Sequence, residues 1–407
     1  MKSNSNGGIF DKLFWLDMFL LLFGYSCLGL PGMSQFRGPI CGMTIIVGLF
    51  LYMYCVKAKF HALLATYIVF IAFSGALLGW LNGARTTAIV LDLTIYISML
   101  HAIYLLCFSP EIIFRYLKVA CIASVFCFAI TYVLNPVSMA SVISRASIAS
   151  ESFVATSMCW PMIIVVLFAT AFKDRNKKNA IYAYIYWALA VVFNAMYLKR
   201  AIFVESVLLI VALAWLYRRV YNKNIISTVL RLVLLVILLM ILIMVAAKVV
   251  FQYDVWSIVE RIVERFNQVD ETGTVRFIES QNYFSNVDFF DILFGKGLGV
   301  VHNGLGKQNT ALHIGITNLI LKSGIFMILL YIFMVLKTFR NIRYTSYNQS
   351  EWRLRMASTA VVIASVPSFC LYSNTWSTSP TFCFMWYVFF MACYGGKWLY
   401  GKDDIAI

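Results

Sequence analysis

Residues 314–336 read IGITNLILKSGIFMILLYIFMVL, an apolar run interrupted by a single charge, Lys322. A helix needs ~20 mostly apolar residues to cross the hydrocarbon core of a bilayer, and this stretch meets that length. Working outward, comparable runs lie at 14–30, 40–56, 61–81, 88–108, 119–134, 153–172, 180–198, 201–217 and 229–251 before it, and at 356–372 and 382–400 after it. The sequence therefore predicts an all-α polytopic membrane protein with about twelve transmembrane helices.

Composition agrees. The 407 residues are 62% hydrophobic and 13% charged, with a mean hydropathy of +0.82. Soluble chains carry roughly 45–50% apolar and 25% charged residues, so there are too few charges here to coat soluble domains. A soluble enzyme, a disordered chain and a nucleic-acid-binding protein are excluded. A channel, a transporter or an enzyme acting on a membrane-bound substrate remains. The ten cysteines sit in or beside apolar runs, without CxxC or metal-ligand spacing, and read as small core hydrophobes. The first span lacks a small-residue cleavage site and reads as retained rather than as a signal peptide.

The net charge of +15 sets orientation. Cytoplasmic segments are biased to Lys and Arg. With both termini inside, 21 of the 33 Lys+Arg fall on the cytoplasmic side and 11 on the other, with Lys322 inside a span. The chain then divides into spans one to nine (1–251), a large extracytoplasmic loop (252–312) and spans ten to twelve (313–407). A loop of that length is functional or disordered. Its first part, 254–266, places apolar residues at helical spacing opposite Glu260, Arg261, Glu264 and Arg265 and predicts an amphipathic helix on the membrane surface or over the bundle. A turn at Thr272-Gly273-Thr274 and a flexible glycine-rich run (Gly295, Gly297, Gly299, Gly304, Gly306) follow.

Ionisable groups within spans are costly and mark candidates for function. Asp17 and Lys322 read as interfacial or snorkelling groups. Asp92 and His101, nine residues apart on one span, are ~13 Å apart along the helix and read as hydrogen-bonding partners for neighbouring helices. On the outer face Arg85, Arg145, Lys199, Arg200 and Arg276 run against the charge bias. Singly each reads as a headgroup contact; several together suit an anionic ligand, because guanidinium binds phosphate in a planar, bidentate, permanently charged way. His302 lies in the glycine-rich end of the loop and His313 at the start of the next span, and imidazole suits proton transfer near neutrality. No third ligand at suitable spacing accompanies them, so no metal site is expected. The GxGxG run lacks the βαβ context of a nucleotide fingerprint, and no cofactor is expected.

Three segments resemble the O-antigen polymerase/O-antigen ligase superfamily of bacterial membrane glycosyltransferases. One is Thr272-Gly273-Thr274-Val275-Arg276, then Phe294-Gly295-Lys296-Gly297-Leu298-Gly299, then His313 ahead of Gly324-Ile325. The second is Leu198-Lys199-Arg200-Ala201, and the third Arg145-Ala146-Ser147. The order of these segments and the large outer loop between the ninth and tenth spans carry the resemblance, which covers mainly 140–330. The chain departs from the family pattern in having Ile314 after His313, whereas His302 is followed by Asn303. The resemblance implies an enzyme of the bacterial cytoplasmic membrane that joins undecaprenyl-diphosphate-linked repeat units at the outer face. His313, Arg276 and Arg200 would be catalytic, with Lys199, Arg145, Arg85 and His302 binding substrate. Transfer would invert the anomeric centre without a metal. Its partners would be lipid-linked glycan donor and acceptor, membrane lipids, a chain-length regulator and a flippase. The alternatives are an O-antigen ligase transferring glycan to lipid A-core and, from another class, a lipid-linked oligosaccharide flippase.

Overall fold

The computed structural model describes residues 8–24, 34–109, 200–221, 269–303, 308–342, 349–371 and 383–395, together with isolated helical positions at 112, 113, 115, 116, 119, 230, 234, 237, 238, 241, 245, 249 and 260. Their helices are α1 (Ile9–Phe19, continued by a π turn at Leu20–Gly24), α2 (Arg37–Lys57), α3 (Ala62–Leu81), α4 (Thr86–Leu105), α5 (Arg200–Tyr221), α6 (Val269–Phe284), α7 (Phe289–Phe294), α8 (Gly315–Asn341), α9 (Gln349–Leu371) and α10 (Cys383–Tyr394). Among the described residues the regular structure is helical apart from a two-residue antiparallel ladder, β1 (His302–Asn303) with β2 (Gln308–Asn309).

Among the described residues four helices, α2, α3, α4 and α8, are long and apolar enough to cross a membrane, and shorter apolar helices occupy Val207–Leu216, Leu354–Pro367 and Cys383–Tyr394. They match the expected second, third, fourth and tenth spans. The expected spans at 119–134, 153–172, 180–198 and 229–251 and the amphipathic helix at 254–266 fall wholly or mostly outside the described residues.

Packing divides these helices by environment. On α3, Leu63, Phe70 and Leu77 recur every seventh residue and are exposed, as are Phe73 and Trp80. Soluble monomers rarely expose contiguous apolar faces of this kind; in a bilayer such a stripe meets acyl chains. The opposite stripe of α3, through Ala65, Ile68, Ala72, Gly75 and Gly79, is buried. The second half of α4 is buried all round, from Thr94 to Leu105, as is nearly all of α10. The chain is an α-helical, membrane-embedded protein.

The ionisable groups Asp17, Asp92, His101 and Lys322 inside this bundle are paired, as a low-dielectric interior favours. Asp17 is fully buried, not interfacial: its carboxylate meets His101 Nε2 at 2.5 Å and accepts from Thr44 Oγ1 at 2.9 Å. Lys322 does not snorkel. It is 2% exposed and its ammonium meets Asp92 Oδ1 at 2.5 Å. Asp92 and His101 thus bind different helices, as their spacing on α4 requires.

Two expectations for the outer loop are overturned. Thr272-Gly273-Thr274 is not a turn but lies within α6. While Gly304 and Gly306 lie outside the described residues, the glycines at 295, 297 and 299 are closely packed rather than loose. They thread backbone-to-backbone between α3, α4 and α8, with Leu298 N–H donating to the Gly75 carbonyl at 2.8 Å and Lys296 N–H to the Leu321 carbonyl at 2.8 Å. A Cβ on Gly297, which has φ +99°, would fall 2.1 Å from the Gly79 nitrogen. Only glycine allows that approach. Gly324, at φ 60° and ψ −155°, breaks α8 into two parts. A break frees carbonyls of the turn before it, and the Leu321 carbonyl finds Lys296 N–H instead.

Candidate functional site

The site is built where α6 docks on the start of α8. The face of α6 carrying Glu279, Ser280 and Tyr283 is buried, while Phe277, Ile278 and Phe284 on its other sides are exposed. Tyr283 packs with Leu312 and Leu321 in a small apolar cluster, and Ser280 Oγ lies 3.3 Å from Thr317 Oγ1. The chain enters α8 through Leu312, His313 and the N-cap Ile314. No side chain caps Ile314, but the preceding donors are all engaged. Leu312 N–H donates to Asn318 Oδ1 at 2.9 Å, and His313 N–H donates to Glu279 Oε2 at 3.0 Å.

The same Glu279 oxygen meets His313 Nδ1 at 2.8 Å. Glu279 is 0% exposed, whereas the His313 side chain is 47% exposed. Burial pushes the Glu279 carboxyl up. The hydrogen bonds from the His313 ring and backbone, with the electrostatic influence of His313 and His302, outweigh it and hold the group below the usual glutamate value of 4.5. An ionised carboxylate only accepts hydrogen bonds, so Nδ1 carries a proton, and in the neutral imidazole Nε2 is then the nitrogen with the free lone pair. The arrangement is an exposed imidazole base, oriented and compensated by a buried carboxylate, as in general-base sites.

His302 sits on β1, opposite Asn309. It is 7% exposed, and among the described residues neither of its ring nitrogens meets a partner, nor does Glu279 Oε1. Such buried unpaired groups are uncommon and call for a physical role.

The expected residues distribute unevenly. Arg276 is half-buried on α6, one turn before Glu279, and so on the same side of that helix. Arg85 is exposed at the N-cap of α4. Gly299 packs against Ala88 and Ile89 in the first turn of that helix, and Asn82 Nδ2 donates to the Lys296 carbonyl at 2.7 Å. The end of the bundle that carries Arg85 is therefore the end reached by the loop leading to His302 and His313. Arg200 opens α5, which packs along α9. Lys199 and Arg145 lie outside the described residues. Sequence reasoning missed Glu279. Its signal was the three-residue spacing from Arg276, meaningful only once α6 is known to be helical there.

These features define a helical membrane protein with a histidine–carboxylate pair at one end of its spans. No protein-family model matches the chain, and no curated protein matches it.

Proposed function

We propose that the chain is a membrane glycosyltransferase that polymerises undecaprenyl-diphosphate-linked oligosaccharide repeat units at the outer face of the bacterial cytoplasmic membrane. In this reading it has about twelve spans and both termini in the cytoplasm. The observation that carries the proposal is the His313–Glu279 pair, set just before a helix long and apolar enough to span a membrane, with the His313 side chain 47% exposed. A base held there meets a substrate whose lipid lies in the bilayer and whose sugar stands above it.

In the proposed reaction an acceptor sugar hydroxyl attacks the anomeric carbon of the donor. The carbon–oxygen bond to the diphosphate breaks, and the diphosphate leaves with the electron pair. The acceptor proton passes to His313 Nε2. Glu279, ionised and buried behind the ring, stabilises the imidazolium that forms. Arg276 and Arg200 take the developing diphosphate charge, with Lys199, Arg145 and Arg85 as further cationic contacts, an electrostatic role that fixed donors fill efficiently. Attack opposite the leaving group inverts the centre. Glu279 Oε1 and His302, without partners among the described residues, suit a neutral hydroxyl better than a diphosphate, since the carboxylate repels an anion.

The test is polymer length in cells whose sole copy is a variant, at matched protein levels. His313→Ala should lower polymerisation by ~10²–10⁴-fold, the usual cost of losing a general base, and His302→Ala by less. The opposite ranking moves the base to His302. Long glycan that is made but not attached to its carrier would indicate a ligase instead.

A further inference from the structure

We infer that Asp92, deep in α4, is a positioning residue that sets the segment bearing both outer histidines. Its two carboxylate oxygens hold the two flanks of that segment. Oδ2 accepts the Gly299 N–H at 2.7 Å, three residues before His302. Oδ1 takes the Lys322 ammonium at 2.5 Å, nine residues after His313. Asp92 lies six residues into α4 and Lys322 seven into α8, so both are about 10 Å below the helix starts at 1.5 Å per residue. One turn further along α4, the Tyr96 hydroxyl meets Ser323 Oγ at 2.5 Å.

An ion pair serving only to join two helices would leave the loop out. Here one carboxylate joins α4, α8 and the loop backbone, and the chemistry of that group explains why. Both contacts come from donors, and a carboxylate is the one side-chain group of this size with two oxygens that only accept. An asparagine has one acceptor and one donor, so it can hold either Gly299 or Lys322 but not both. The glycine at 299 is required by the same geometry, since a Cβ there would fall 2.6 Å from the Ile89 nitrogen.

The inference rests on the reading of His313 as the base for its catalytic consequence, but not for its structural one, and the experiment separates the two. The full-length protein in membranes is treated with diethyl pyrocarbonate, and modification of each histidine is read by peptide mass spectrometry. In the parent, exposed His313 reacts and buried His302 is protected. In Asp92→Ala the rate at His302 should rise by about tenfold or more, because local opening is the state that reacts, and polymer should fall. Asp92→Asn should give an intermediate result. Adding Lys322→Met to Asp92→Asn removes the cation that competes for the amide oxygen and leaves that oxygen for Gly299. This double variant should regain protection of His302 and polymer, even if Asp92→Ala fails to accumulate. Unchanged relative labelling of His302 and His313 in Asp92→Asn, with only a lower melting temperature, would reduce Asp92 to a structural pair and overturn the inference. No recovery in the double variant would overturn it too. Labelling that follows the expected order while every variant makes normal polymer would uphold the positioning role and remove His313 from the chemistry.

Discussion

Replacing Glu279 tests the site most directly, because one of its oxygens makes both contacts to His313. Glu279 Oε2 receives both the ring Nδ1–H and the backbone N–H of His313, at 2.8 and 3.0 Å. A hydrogen bond to a charged group contributes ~1.5–3 kcal/mol, about twice a neutral one. The backbone bond maintains the entry to α8, and the ring bond aims the base. In Glu279→Ala the ring bond is lost, and ~1.5–3 kcal/mol corresponds to roughly a 10- to 150-fold fall in polymerisation rate at ~1.4 kcal/mol per tenfold. In Glu279→Gln an amide oxygen can still accept at the same place, so only the charge assistance disappears. The loss should then be about half in energy, or roughly 3- to 12-fold. The assay is initial-rate polymer formation in membrane vesicles from lipid-linked repeat units, with protein level and insertion matched. If His313 and Glu279 act as a unit, combining Glu279→Ala with His313→Ala should add almost nothing to His313→Ala alone. Normal rates in Glu279→Ala, or strict additivity in the double variant, would refute the dyad and leave Glu279 as packing.

Other predictions follow from the same geometry. Arg276→Lys and Arg200→Lys should each impair polymer formation, since a point charge does not reproduce a bidentate guanidinium; full-length polymer from both in a glycan gel would make them headgroup contacts. Gly79→Ala should destabilise the detergent-solubilised protein by about 1–3 kcal/mol or more, an overpacking cost, because the new Cβ would fall 2.1 Å from the Leu298 carbonyl oxygen. Gly42→Ala, with nothing within 4 Å, should be neutral in the same thermal assay. The pH dependence of the His313 clamp has a definite sign. A carboxyl lowered in the folded state stabilises above its ordinary value and loses that stabilisation as pH falls through the lowered one. Hydrogen-exchange protection of the His313 amide should therefore hold from neutrality down to 4.5 and be lost only below it; loss between pH 5 and 7 would contradict an ionised Glu279.

The sequence by itself determined that this chain lives in a membrane and where several of its helices lie. Run length and hydropathy are local properties, and a run such as 314–336 must satisfy its own backbone bonds in lipid whatever its neighbours do. It also drew attention to His313, by its place at the start of such a run and its distance to Gly324, and the structure places Glu279 against it. The tertiary structure alone decided what the polar groups do. Lys322 looked like a snorkelling side chain because nothing local reveals a partner at Asp92, 230 residues away. The glycines at 295–299 looked flexible because an isolated chain lets glycine roam, yet the missing Cβ is what lets three helices and a loop touch backbone to backbone. Thr272-Gly273-Thr274 looked like a turn because its helix propensity is poor, but such penalties are ~1 kcal/mol per residue and tertiary context overrides them. Burying the Glu279, Ser280 and Tyr283 face against α8 supplies that context. Glu279 was invisible for the same reason: its meaning lies in a contact across 34 residues, and hydropathy carries no information about which distant segments meet.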